Sequence, residues 1–225
     1  MNFILLAITG LLSRNTYFTR QKVLTSMVLI WGIRLALFLF NRVIQRGRDE
    51  RFDKIRINPV RFLVFFIIQM IWVWIVSLPV TLANHEKYDS PISILDIIGW
   101  SFWIIGFIWE AIADQQKYNF NLNPENKKKI LKTGLWKYSR YPNYFGEILL
   151  WTGIFLSSTS SLIPDFNSIL KASASPLLTF VLLKYVSGVR LSDQRYDERF
   201  GNQEEWIKYK ESTNLFIPGF PRSKL

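Results

Sequence analysis

The sequence predicts an all-α fold, a polytopic membrane helical bundle of about five transmembrane helices with a C-terminal amphipathic cap. Three observations carry that expectation. Residues 60–83 and 92–113 are apolar runs, each long enough to cross about 30 Å of hydrocarbon. The 28 Lys and Arg of a chain of formal charge +11 sit in blocks between such runs rather than on one tail or helix face. The blocks also alternate, as the positive-inside rule expects: seven in 42–61, seven in 114–143 and seven in 190–225, against one each in 84–91 and 159–171.

Composition alone does not decide this, since 225 residues at 49% hydrophobic and 16% aromatic also suit one soluble domain. Segment length decides for the membrane. The dispersal of the basic residues argues against nucleic acid as a partner, and the lipid bilayer takes its place. The absence of cysteine excludes disulfides, thiolate nucleophiles and Cys-ligated metals. The single histidine, His85, lies in a poorly charged turn and reads as a solvated loop residue, so no metal site and no Ser-His-Asp triad is expected.

In chain order, residues 1–22 read as an N-terminal anchor or targeting-like segment: 1–12 are apolar but too short to span, and 13–22 are basic and hydroxylated. Residues 23–225 then form a single membrane domain. The first span is 23–40, interrupted by Arg34, which should face the bundle or snorkel. The second is 60–83, with Pro79 in its last turn. The third, 92–113, delivers Glu110 and Asp114 on one helical face toward the basic side. Residues 119–132 read as a turn and a short basic helix. The fourth span is 144–161 and the fifth 172–188, with Lys184 placed to snorkel and Gly188 ending it. The tail 190–225 is either a surface amphipathic helix or a lid, folded back so that Asp193, Arg195, Trp206 and Tyr209 meet the central loop.

That central loop, 134–147, runs GLWKYSRYPNYFGE into an apolar helix. Lys137 and Arg140 supply charge; Tyr138, Tyr141, Asn143 and Tyr144 supply hydrogen-bonding groups. Pro142 fixes its own φ and biases Tyr141 away from helix, so a helix starts near Asn143 with its N-terminus beside those charges. Asn143 and Glu147, four apart, share a face. The set suits a phosphate-bearing nucleotide at a membrane surface.

At these residues the sequence resembles the steroid 5-alpha-reductase-like membrane protein family, in particular a small DUF1295-type branch sharing GLW-[KR]-Y-S-R-x-P-N-Y-F-G-E. It is more distantly similar to sterol reductases and isoprenylcysteine methyltransferases. The resemblance extends through RLALFLFNR (34–42), GRDERF (47–52), WEAIADQQ (109–116), VSGVRLSD (186–193) and FIPGF (216–220). It implies an NADPH-dependent reductase of an activated C=C bond in a steroid or other lipid, with Asp114, Lys137, Tyr138, Arg140, Asn143, Tyr144, Glu147, Asp193, Arg195, Trp206 and Tyr209 about the cofactor. The tail pattern implies closure over the nucleotide.

Related loops in the superfamily also serve S-adenosylmethionine-dependent methyltransferases, which resemble R-H-P-x-Y-x-G, whereas reductases carry N-Y-F-G-E. The latter stands here as 143–147. Three basic blocks on one side also suit a polyphosphate dinucleotide better than a sulfonium cofactor. Two departures from the family leave a second reading open. Tyr141 stands where relatives usually have histidine, and the chain starts late enough to lack one or two N-terminal helices, the region that supplies the steroid reductases' polarising acid. The catalytic donor is therefore unassigned. A noncatalytic structural subunit of a larger membrane complex, with other subunits as partners, is the alternative. The endoplasmic reticulum and the mitochondrial inner membrane both stay open as locations.

Overall fold

The computed structural model describes residues 2–46 and 58–222, so the GRDERF segment and most of the first basic loop lie outside the described residues. The described chain is helical throughout: α1 (Asn2–Arg14), α2 (Thr19–Arg46), α3 (Pro59–Asn84), α4 (Ile94–Leu122), α5 (Pro142–Leu162), α6 (Phe166–Val181), α7 (Val189–Phe200) and α8 (Glu204–Ser212). Short 3₁₀ turns occupy Pro124–Asn126 and Gly134–Lys137, and a π-helical turn, Leu182–Val186, joins α6 to α7.

Among the described residues four stretches are long and apolar enough to cross a membrane: Thr19–Gln45, Pro59–Asn84, Ile94–Leu122 and Phe166–Phe200. The chain is a polytopic helical membrane protein. The expected span 144–161 is a helix, α5, of 21 residues, but Glu147 and the hydroxyl run 157–161 leave it outside those four. Side-chain exposure fits lipid as the solvent: on α3, Leu63, Ile68, Met70, Ile71 and Trp74 all face outward.

Several boundaries differ from expectation. α2 begins at Thr19, so Arg20 and Gln21 are helical and buried. α3 runs on to Asn84, which leaves Pro79 inside the helix and buried. α4 continues to Leu122, and 127–132, expected as a short basic helix, is turn and coil. Asn123 explains that stop, because its side chain accepts from Glu125 N ahead of Pro124.

The chain forms two compact units, Met1–Ser101 with Thr152–Leu178, and Phe102–Trp151 with Thr179–Leu225. In the first unit Phe3 of α1 meets the rings of Trp31 (5.4 Å, 88°) and Trp72 (5.5 Å, 81°) edge-on. Such contacts are worth about 0.5–1.5 kcal/mol each beyond burial. A buried polar cluster closes one end of this unit. Arg20 donates through Nε and Nη2 to the two Asp96 oxygens, each at 2.8 Å. Ser157 Oγ adds a bond to Asp96 at 2.9 Å. Ser93 and Asp96 form a capping box at the start of α4: Leu95 N donates to Ser93 Oγ, and Ser93 N to Asp96 Oδ2 at 2.9 Å. Nearby, Asn84 Nδ2 donates to Ala7 O and Thr25 Oγ1, tying α3 to α1 and α2.

In the second unit α4 and α5 touch backbone to backbone. A Cβ on Gly106 would lie 2.6 Å from Gly146 O, and one on Gly146 2.6 Å from Glu110 N. Only a residue without a side chain permits that approach, which replaces absent hydrophobic drive in lipid with close packing. Within the first unit the same two helices meet at Gly99, where a Cβ would lie 2.5 Å from Gly153 O.

Candidate functional site

The central loop of the second unit is built onto α4. Gly134 sits at φ 60°, a backbone region costly for other residues, and lets Leu135 N donate to Gln116 Oε1 at 2.9 Å. Trp136 is buried and donates from Nε1 to Ala113 O at 3.1 Å. Pro142 then occupies the first position of α5, where its missing N–H costs nothing.

The tail folds back onto this loop, as the lid reading expected. After α8 the chain pairs with the loop through its backbone: Arg140 N donates to Asn214 O (2.9 Å), Tyr141 N to Leu215 O (3.1 Å) and Gly219 N to Tyr138 O (3.0 Å). Tyr209 of α8 donates its hydroxyl to Trp136 O at 2.6 Å.

Asp193, near the start of α7, is the hub. Its carboxylate accepts from the Tyr141 hydroxyl and, at 3.4 Å on both oxygens, from Arg140 Nη1. Burial, and then the Asp193 carboxylate beside it, hold the Tyr141 phenol far above the ordinary tyrosine range, so it stays a neutral donor. The Tyr141 ring stacks on Tyr144 (5.3 Å, 10°), whose hydroxyl lies 3.5 Å from Ser192 Oγ. Four buried polar atoms of this unit find no partner among the described residues: Arg140 Nε, Asn143 Oδ1, Trp103 Nε1 and Trp109 Nε1. An unpartnered buried group of this kind is costly, so a ligand that satisfied it would gain accordingly. Beneath Arg140 and Tyr141 only about 10 Å³ is open, bounded by Trp136, Tyr196, Trp206 and Tyr209.

The other expected site residues divide. Asn143 and Glu147 stand one turn apart at the start of α5, and both are half-buried, as is Asp114 on α4. Tyr138 packs edge-on against Phe220 (5.8 Å), and its carbonyl holds the tail. Trp206 and Tyr209 belong to a core cluster with Ile130 and Phe200, and Trp206 Nε1 donates to Asp197 at 2.7 Å. Those two rings fasten the tail to Ile130 and to the central loop. Arg195 is exposed and bonds Leu191 O of its own helix, away from the loop. Lys137 is also exposed, on an outer groove with Lys132 and Lys208 rather than beside Arg140.

Sequence reasoning missed Trp109, Ser192 and the Lys132–Lys208 pairing. Trp109 carried a signal, an indole one position before Glu110 in a span, because a buried indole N–H needs a partner. The lysines carried none, being 76 positions apart in sequence.

The family described as protein of unknown function (DUF1295) matches residues 1–213. The 3-oxo-5-alpha-steroid 4-dehydrogenase 1 of Rattus norvegicus is 27% identical over 122 residues, 54% of this chain and 40% of that protein. The very-long-chain enoyl-CoA reductase of Dictyostelium discoideum is 28% identical over 137 residues, 60% of this chain and 40% of that protein. An uncharacterised protein of Schizosaccharomyces pombe is 23% identical over 172 residues, 64% of this chain and 50% of that one. The chain spans half or less of the length of these relatives. No solved structure matches it. With a family match that runs from the first helix to the end of α8, the chain belongs to the DUF1295 family and is a distant homologue of the steroid 5-alpha-reductases.

Proposed function

We propose that the protein is a membrane oxidoreductase that uses NADPH to reduce an activated C=C bond of a steroid or other lipid. The observation that carries this reading is the pair of unpartnered buried atoms, Arg140 Nε and Asn143 Oδ1, at the N-terminus of α5. A cation, an amide oxygen and a helix N-terminus fit a dinucleotide: the first and last suit its phosphates, and the amide oxygen suits a carboxamide or ribose donor. Two named reductases among the distant relatives support the reaction class.

In this reading Arg140 binds phosphate, Asn143 and Glu147 orient the nucleotide along α5, and Asp114 accepts from it across the loop. Arg140, held to Asp193 only by long contacts, would be available to a phosphate, while Asp193 would keep the Tyr141 hydroxyl. Bound NADPH supplies the hydride; the closed tail excludes water from it. An apolar substrate enters from the bilayer.

Tryptophan-to-NADPH energy transfer on the purified chain tests this. Asn143→Ala should weaken binding about fivefold, the loss of one neutral hydrogen bond, and Arg140→Gln about tenfold to a hundredfold, the loss of a charge-assisted one. Unchanged affinity in both variants defeats the assignment. So does a wild-type chain that releases S-adenosylmethionine, or lipid alone, on denaturation.

A further inference from the structure

Outside the Arg140–Asn143 cluster, the second unit carries a groove of about 450 Å³ between the central loop and α8, walled by Lys132, Lys137, Lys208, Glu204, Glu205 and Ser212. Lysines outnumber carboxylates. Two of them are held in place by exposed ion pairs, Lys132 with Glu205 and Lys208 with Glu204 at 2.6 Å. Such exposed pairs are weak and screened, so the lysines can exchange their carboxylates for another anion at little cost. Lys137 is exposed, its Nζ 5.8 Å from the Tyr138 ring centroid.

The groove has an apolar lip. Pro221 lines it, and the tail residues beside it, Ile217 and Phe220, are 71% and 85% exposed. Exposed Ile and Phe next to a basic groove would be unfavourable in water and are suited to a bilayer surface. The position fits as well. Gly219 N is bonded to Tyr138 O, four residues before α5 begins, so lip and groove lie where that apolar helix starts. They also lie on a loop and tail that carry two of the chain's three basic blocks.

We propose that this groove binds the phosphate of an anionic phospholipid from the surrounding bilayer. Lys132, Lys137 and Lys208 take the phosphate, and Ile217 and Phe220 lie among the acyl chains. The site is separate from the nucleotide reading and does not depend on it.

Native mass spectrometry of the full chain, titrated in mild detergent with dioctanoyl phosphatidylglycerol, tests the proposal. The lipid should bind at least tenfold tighter than dioctanoyl phosphatidylcholine. Lys137→Gln with Lys208→Gln should weaken it about twentyfold, near fivefold for each lysine. Phe220→Ser should weaken it severalfold. Lys128→Gln with Lys129→Gln, exposed on the same loop but outside the groove, should leave it unchanged. All the altered side chains are exposed, and thermal melts check that each variant is folded. An equal loss in the Lys128 and Lys129 variant would reduce the effect to general charge and overturn the site. Glycerol 3-phosphate binding as tightly as the lipid would overturn the role of the acyl chains. Displacement of the lipid by NADPH would assign the groove to the nucleotide instead.

Discussion

Asp96→Asn is the most demanding test of how the first unit is held together. Asp96 is wholly buried and its partner Arg20 is 3% exposed. The carboxylate accepts from Arg20 Nε (2.8 Å) and Ser157 Oγ (2.9 Å) on one oxygen, and from Arg20 Nη2 (2.8 Å) and Ser93 N (2.9 Å) on the other. Asparagine has nearly the same shape, but either orientation of its amide sets an NH₂ against a guanidinium N–H and a second donor. The Arg20 cation would keep one bond to the neutral amide oxygen and the Ser90 and Pro91 carbonyls, at 3.3 and 2.8 Å, but no counter-charge. Breaking one side of a buried pair costs about 3–5 kcal/mol, roughly two to four powers of ten in the folding equilibrium. Replacing both partners with Leu removes the stranded charge and should cost clearly less than the single change. Reversible unfolding in mixed dodecyl sulfate micelles, followed by circular dichroism, measures both. A shift below about 1 kcal/mol for Asp96→Asn, or additive losses in the double variant, would refute the reasoning.

Three further outcomes follow from the geometry. Gly146→Leu should destabilise the chain by at least about 1–3 kcal/mol in the same unfolding assay, because its Cβ would meet backbone atoms of α4 at 2.6 Å rather than a side chain that can turn aside. Gly134→Ala should cost about 1–2 kcal/mol, since its φ of 60° is strained for alanine and a Cβ would strike Gln116 at 2.5 Å. Burial raises the phenols of both Tyr141 and Tyr209 in the folded chain, so their contribution to stability is fully present below about pH 10 and is lost as pH rises further. Unfolding measured from pH 7 to 11 should therefore show a fall above pH 10 that is shallower in Tyr141→Phe, and a rise there would contradict the assignment.

Much of the site was legible because its residues are neighbours in sequence. Pro142 at the start of α5, Asn143 and Glu147 on one face, and Arg140 beside them all follow from spacing within a single loop and helix. The tail's return was legible only as one of two readings, since its amphipathic pattern fits either a membrane surface or a protein partner. The Asp193 contacts with Arg140 and Tyr141 settle it in favour of the partner, together with the backbone pairing of 214–219. Arg195, grouped with Asp193 on the same grounds, turned to solvent, because a helix of 12 residues presents only one face to the loop.

The sequence by itself determined the helices and their membrane character, because apolar run length and the alternation of basic loops are local properties that lipid reads directly. It also held the SILD capping box at 93–96 that starts α4, a signal written in four consecutive residues. Only the tertiary structure decided which charges are paired. Arg20 and Asp96 are 76 residues apart; in sequence Arg20 belongs to the basic part, 13–22, of an anchor or targeting-like segment, and folding encloses it. The same holds for the glycines at 106 and 146, which look like ordinary interruptions of apolar helices until two backbones close on them. The physical reason is common to both: the energy of a buried charge or of a missing side chain depends on what stands within about 4 Å of it, and long-range packing supplies that neighbour.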